Sequence, residues 1–105
     1  MSVTEFGLPV QDIRSIKDTL REFPKISEAI IYGSRAKGNY RPGSDIDLTL
    51  KGCDLSHRDL LDIELALDEL LLPYRLDLSL HHQLDNTQLL DHIARAGKLF
   101  YSAKE

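Results

Sequence analysis

Two short runs could do chemistry together: Ile31-Tyr32-Gly33-Ser34-Arg35-Ala36-Lys37-Gly38 and, five residues on, Ser44-Asp45-Ile46-Asp47-Leu48. A glycine-serine turn leaving an apolar run offers backbone amides that can meet phosphate oxygens. Two aspartates one residue apart offer oxygen ligands for a divalent cation. Phosphate-holding amides and a cation site within sixteen residues are the parts needed for nucleotidyl transfer.

These residues need elements to position them. Ala29-Ile30-Ile31-Tyr32 is short, apolar and stopped by Gly33, as a buried strand is. From Asp45 to Leu50 the sequence alternates, with Ile46, Leu48 and Leu50 on one face and Asp45, Asp47 and Thr49 on the other. Arg75 to Leu80 repeats the pattern, so that Leu76, Leu78 and Leu80 turn inward and Asp77 joins the aspartate pair on the wet side. Around the strands, Val10, Ile13, Ile16, Leu20 and Phe23 recur at helical spacing between Pro9 and Pro24. Ser56 with Asp59 predicts a helix start, and the leucine-rich stretch to Leu72 predicts a helix buried on more than one side and ended before Pro73. Asn86 caps a last helix bearing Leu89, Leu90 and Ile93, Gly97 ends it, and Leu99-Phe100-Tyr101 adds a final strand. The expected architecture is an α/β (α+β) domain, a small mixed β-sheet flanked by helices, with residues 1–105 as one unit.

Like charges gathered on matching strand faces gain nothing structurally. At about 5 Å each carboxylate pair costs roughly 1 kcal/mol in water and about 3 kcal/mol at an effective dielectric of 20. A cation removes that cost, and magnesium favours carboxylate oxygen, phosphate oxygen and water. Asp45, Asp47 and Asp77 are therefore the candidate catalytic and metal-binding residues. Gly33 and Ser34 are the candidate phosphate contacts, with Arg35, Lys37 and Arg41 adding positive charge in the same loop. His57, His81, His82 and His92 show no ligand spacing and read as solvated or locally bonded.

Composition narrows the partners. The chain has 105 residues, 42% hydrophobic and 29% charged, enough for one modest core and no separate substrate domain. Its formal charge of −4 argues against a protein that tracks nucleic-acid phosphates. Cys53 is the only cysteine, which excludes an internal disulfide and fits a reducing compartment. The amino terminus has no signal-like pattern and no window is apolar enough to span a bilayer, so the expectation is a cytoplasmic protein with no membrane partner.

The run from Gly33-Ser34 through Arg35-Ala36-Lys37-Gly38 to Asp45-Ile46-Asp47 resembles the signature of the DNA polymerase β-like nucleotidyltransferase superfamily. In length the chain looks like its minimal nucleotidyltransferase (MNT) branch, the antitoxins of HEPN/MNT toxin-antitoxin systems. The resemblance implies two Mg2+ ions held by Asp45 and Asp47 around ATP phosphates, and Asp77 as the third carboxylate, binding the second ion and helping to activate the acceptor hydroxyl. It also implies triphosphate contacts from Gly33 and Ser34, and a cognate HEPN-type toxin, an RNase, whose tyrosine receives AMP. Homo- or hetero-oligomerisation is left open by the sequence.

Two rival readings remain at this level. The chain could be a non-catalytic module that neutralises a toxin by contact alone, or it could transfer a nucleotidyl group to a small-molecule hydroxyl. The absence of a second substrate domain favours a protein acceptor, which could complete the site itself.

Overall fold

The computed structural model describes residues 4–104. A two-stranded antiparallel ribbon, β1 (Thr4–Glu5) and β2 (Leu8–Pro9), leads into helix α1 (Val10–Arg21). Strand β3 (Ile26–Tyr32) follows, then the one-turn helix α2 (Ser34–Lys37), strand β4 (Ile46–Gly52) and helix α3 (His57–Asp68). Strand β5 (Leu76–Leu80), a 3-10 turn (His81–Gln83), helix α4 (Thr87–Ala96) and strand β6 (Lys98–Ser102) complete the chain. The four-stranded sheet has the order β5-β4-β3-β6. Strand β3 is antiparallel to β4 and β6, whereas β4 and β5 are parallel and α3 makes the crossover between them.

Period-two alternation decides the layers. Ile31, Leu48 and Leu78 lie in one row across β3, β4 and β5. On that face α1 contributes Ile13, Ile16 and Leu20, and α3 contributes Ile63 and Leu67, to the hydrophobic core. Helix α4 lies over the opposite face, where His92 meets Tyr32. Among the described residues no helix is long and apolar enough to cross a membrane.

The mixed sheet flanked by helices is the expected one, and the deviations have local causes. Strand β3 begins at Ile26 rather than Ala29, because Ile26 and Glu28 pair with β4 residues across a register shift that alternation cannot reveal. The ribbon at the start of the chain was not expected. Its turn places Phe6 at φ 57° and Gly7 at φ 72°, and a phenylalanine hides what an Asn-Gly pair would have announced. Helix α3 starts as expected, with a capping box in which Ser56 accepts from the Asp59 amide and Asp59 accepts from the Ser56 amide. It ends at Asp68, short of Leu72, and a turn through Leu71 at φ 55° precedes Pro73. The expected burial on more than one side of α3 does not occur: Ile63 and Leu67 are buried, while Leu61 and Leu65 face outward. Val10 is likewise exposed and drops out of the buried stripe of α1.

Candidate active site

The sheet register aligns three polar side chains. Tyr32 on β3 pairs with Asp47 on β4, and Asp47 with Asp77 on β5. Residues two apart share a face, so the next row is Ile30, Thr49 and Ser79. The Ser79 hydroxyl donates to Thr49 Oγ1 at 2.9 Å, which satisfies a threonine that is fully buried. Tyr32 packs edge-on against the His92 ring, with centroids 6.2 Å apart. Asp47 is half-buried and Asp77 is exposed, so the carboxylate end of the row faces solvent beside α4.

Asp45 lies just before β4, yet the chain holds it on both sides. The Ser44 carbonyl accepts from Nε and Nη2 of Arg35 at 3.1 and 2.9 Å. The Ile46 amide donates to the Arg75 carbonyl at 2.8 Å. Between these two tethers the Asp45 side chain remains exposed.

Gly33 separates β3 from α2 at φ 80°, a conformation that costs other residues a steric penalty. A Cβ there would also run into the carboxylate of Asp47. The glycine thus lets the turn and the aspartate occupy adjoining space, and no other residue offers both. Ser34 then opens α2, its carbonyl accepting from the Gly38 and Asn39 amides at 2.9 and 3.1 Å. The first amides of a helix lack intrahelical acceptors.

Arg35 has a different place from the one expected. Rather than offering its charge to a phosphate, it is 2% exposed. Its guanidinium donates to four backbone carbonyls, those of Phe6, Gly7, Pro42 and Ser44. The rings of Tyr40 and Tyr74 lie 5.5 and 5.1 Å from it. Arg35 ties the N-terminal ribbon to the loop that delivers Asp45. Lys37 and Arg41 stay exposed in the same loop.

The electrostatics of the row favour a cation. Burial pushes the Asp47 carboxyl above its ordinary range, and Asp77 and Asp45 push it the same way against a smaller opposing effect of His92. Burial also raises the Tyr32 phenol; Ser79 opposes this and Asp47 and Asp77 add to it. Among the described residues none of the three aspartates is in an ion pair, and no three His, Cys, Asp or Glu side chains are gathered closely enough to hold a metal ion. The three aspartates nevertheless offer the donor chemistry that magnesium takes, all-oxygen and uncompensated by an ion pair, with Asp47 set against Gly33.

The register brings together Asp47 and Asp77, with Asp45 and Gly33 beside them, whereas Arg35 lies apart. Tyr32, Ser79 and His92 were not singled out for the site. Tyr32 could have been found from its place next to Gly33, had the pairing of β3 with β4 been known. His92 had no signal, because only tertiary packing brings α4 to that face.

No curated protein matches the chain significantly, whereas several solved structures do. A toxin-antitoxin crystal structure with AMP-PNP contains a chain 24% identical, with TM-score 0.71, covering 86% of this chain and 73% of its own. The complex of a tri-AMPylated Shewanella oneidensis HEPN toxin with an MNT antitoxin matches at 21% identity and TM-score 0.67, over 90% of this chain and 73% of the other. The MntA-HepT toxin-antitoxin structure matches at 21% identity and TM-score 0.66, over 90% and 74%. At these identities the likeness is one of fold. The family model described as polymerase beta, nucleotidyltransferase matches residues 14–105, and the chain belongs to that family as a nucleotidyltransferase.

Proposed function

We propose that the chain is a magnesium-dependent protein adenylyltransferase, the antitoxin of a HEPN-type toxin, which moves AMP from ATP onto a tyrosine hydroxyl of that toxin. The observation that carries this reading is the register Asp47–Asp77, with Asp45 tethered beside it and Gly33 admitting Asp47 against the turn. The bound AMP-PNP in one structural neighbour and the AMPylated HEPN toxin in another support ATP as donor and a protein as acceptor.

Asp45 and Asp47 would hold the magnesium ions, with Asp77 sharing the second. Bound there, magnesium would neutralise the phosphates and stabilise the charge that develops during in-line displacement. The chain's own residues account for the rest. The Gly33–Ser34 turn holds the triphosphate, and Asp77 orients the acceptor hydroxyl and takes up its proton. The acceptor oxygen forms a bond to the α-phosphorus, the bond from that phosphorus to the α,β-bridging oxygen breaks, and pyrophosphate leaves with the electron pair.

The test is purified protein with ATP, magnesium and its HEPN partner, followed by mass spectrometry. Native protein is expected to add the mass of AMP to a partner tyrosine, and Asp45→Ala with Asp47→Ala to abolish the addition. Unchanged modification by the double variant would refute the mechanism. Full neutralisation of the toxin by that variant would favour a contact-only antitoxin, and ATP consumption with a metabolite in place of the partner would favour a small-molecule acceptor.

A further inference from the structure

Helix α3 is apolar on two opposite sides, and the fold covers one. Ile63 and Leu67 are buried, whereas Leu61 and Leu65, one turn apart on the far side, are 45% and 63% exposed. Leu71, in the turn beyond the helix, is 87% exposed. Acids border the leucine stripe on both flanks: at helical spacing Glu64 and Asp68 fall on one side, Asp62 and Glu69 on the other. Arg58 is engaged with Asp62 at 3.4 Å. Residues 59–71 carry five acids and no lysine or arginine, so against a formal charge of −4 for the chain all other residues sum to +1; Asp59 among them is engaged by the Ser56 cap and by Lys25 at 3.3 Å. On the Glu64–Asp68 flank a groove of about 240 Å³, whose wall also holds Tyr74 and one cation, Arg75, runs down to Leu76 and Leu78 of β5.

We infer that this face docks a partner protein presenting an apolar stripe rimmed by lysine and arginine. Charge decides the occupant. A second copy seated two-fold would set the excess of acids, Glu64, Asp68 and Glu69, against the same acids with only Arg58 and Arg75 to offset them, and nucleic acid or an anionic membrane would be repelled by the same charges. Leu76 and Leu78 alternate with Asp77 on β5, so a partner in the groove lies along the strand that carries the third carboxylate. The inference deepens the protein-acceptor reading and rests on it, since the docked partner would be the acceptor.

The probes are two synthetic helical peptides of about 18 residues, five turns, each with a leucine stripe, one rimmed by lysine and one by glutamate. Each is titrated without nucleotide into the full chain and followed by amide NMR shifts. The lysine-rimmed peptide is expected to shift residues 61–71 and 76–78, with binding weakened about tenfold by Leu61→Ser with Leu65→Ser and weakened further by salt. The glutamate-rimmed peptide is expected not to bind. Leu71→Gly is expected to weaken binding while leaving Tm unchanged or raised, because glycine suits a positive φ better than leucine; a merely structural leucine would not give that split. Asp45→Ala with Asp47→Ala is expected to bind as native protein does, so a failure of AMP transfer with docking intact would count against the enzymatic reading alone. Equal binding of both peptides, shifts confined to other surfaces, or a dimer of the free chain that Leu61→Ser with Leu65→Ser dissociates would overturn the inference.

Discussion

Asp47 shows most directly how a single side chain trades stability for chemistry. Its carboxyl is raised above the 3.8 of an unperturbed aspartate by burial and by Asp77 and Asp45. The folded state therefore prefers the protonated form. That contribution to stability is fully present below pH 3.8 and is lost as pH rises through the folded value, so near neutrality the ionised group is a cost. Asp47→Asn, which keeps the shape and removes the charge, is expected to melt higher than native protein near pH 7 without divalent metal. The gain should shrink as pH falls through the raised folded value and be gone below 3.8, while the variant transfers nothing at any pH; thermal unfolding across that range checks the sign. Gly33→Ala probes the same contact from the other side. It places a methyl against the Asp47 carboxylate at a backbone angle that alanine tolerates poorly, so transfer is expected to fall by about a hundredfold even where circular dichroism shows the fold retained. Alternation made Asp45, Asp47 and Asp77 legible from the sequence, because same-face parity along a strand needs no knowledge of its neighbours. The burial that shifts Asp47 most was not legible, and His92, which opposes the shift, comes to it only through the packing of α4.

At the scale of elements, the loop between α2 and β4 is ordered by a residue that sequence reasoning assigned elsewhere. An arginine following Gly-Ser reads as a phosphate ligand. Nothing local reveals that residues 6–7 and 42–44 fold back to present four carbonyls to it. Tyr40 and Tyr74, which close over the guanidinium, were the available hint, but they lie in separate segments that only the fold unites. The two roles predict different kinetics. Lysine keeps the charge and cannot reproduce the planar fork, so Arg35→Lys is expected to lower unfolding free energy by about 3 kcal/mol, read by urea denaturation. Transfer should drop through kcat as Asp45 loosens, with KM for ATP little changed. A raised KM with native stability would instead return Arg35 to the phosphate. Helix α3 carries the complementary lesson: its leucines promised burial, and the outward ones show that hydrophobicity without a clean single stripe does not say which side the monomer covers.

For the molecule as a whole, the acidic surface and the acidic site face different tasks. The charge over residues 59–71 lies on α3 and its following turn and does not depend on nucleotide, whereas the Asp45–Asp47–Asp77 charge gathers where Asp47 meets Gly33 and should be relieved only when cation and triphosphate arrive together. Ligands that bind the folded state alone stabilise it by mass action, about 2.7 kcal/mol at a hundred times Kd. For a domain of this size that converts to a rise in Tm of roughly 10–20 °C. Magnesium with a non-hydrolysable ATP analogue is therefore expected to raise Tm by that order, and either component alone by much less. EDTA should reverse the shift. Asp45→Ala with Asp47→Ala should abolish it, whereas Leu61→Ser with Leu65→Ser, on the other side of the sheet, should leave it whole. Equal shifts from the analogue with and without magnesium would mean that the turn binds phosphate unaided and that the aspartates have some other duty. A shift that needs both components and both aspartates would tie the cation, the triphosphate and the strand register into one site.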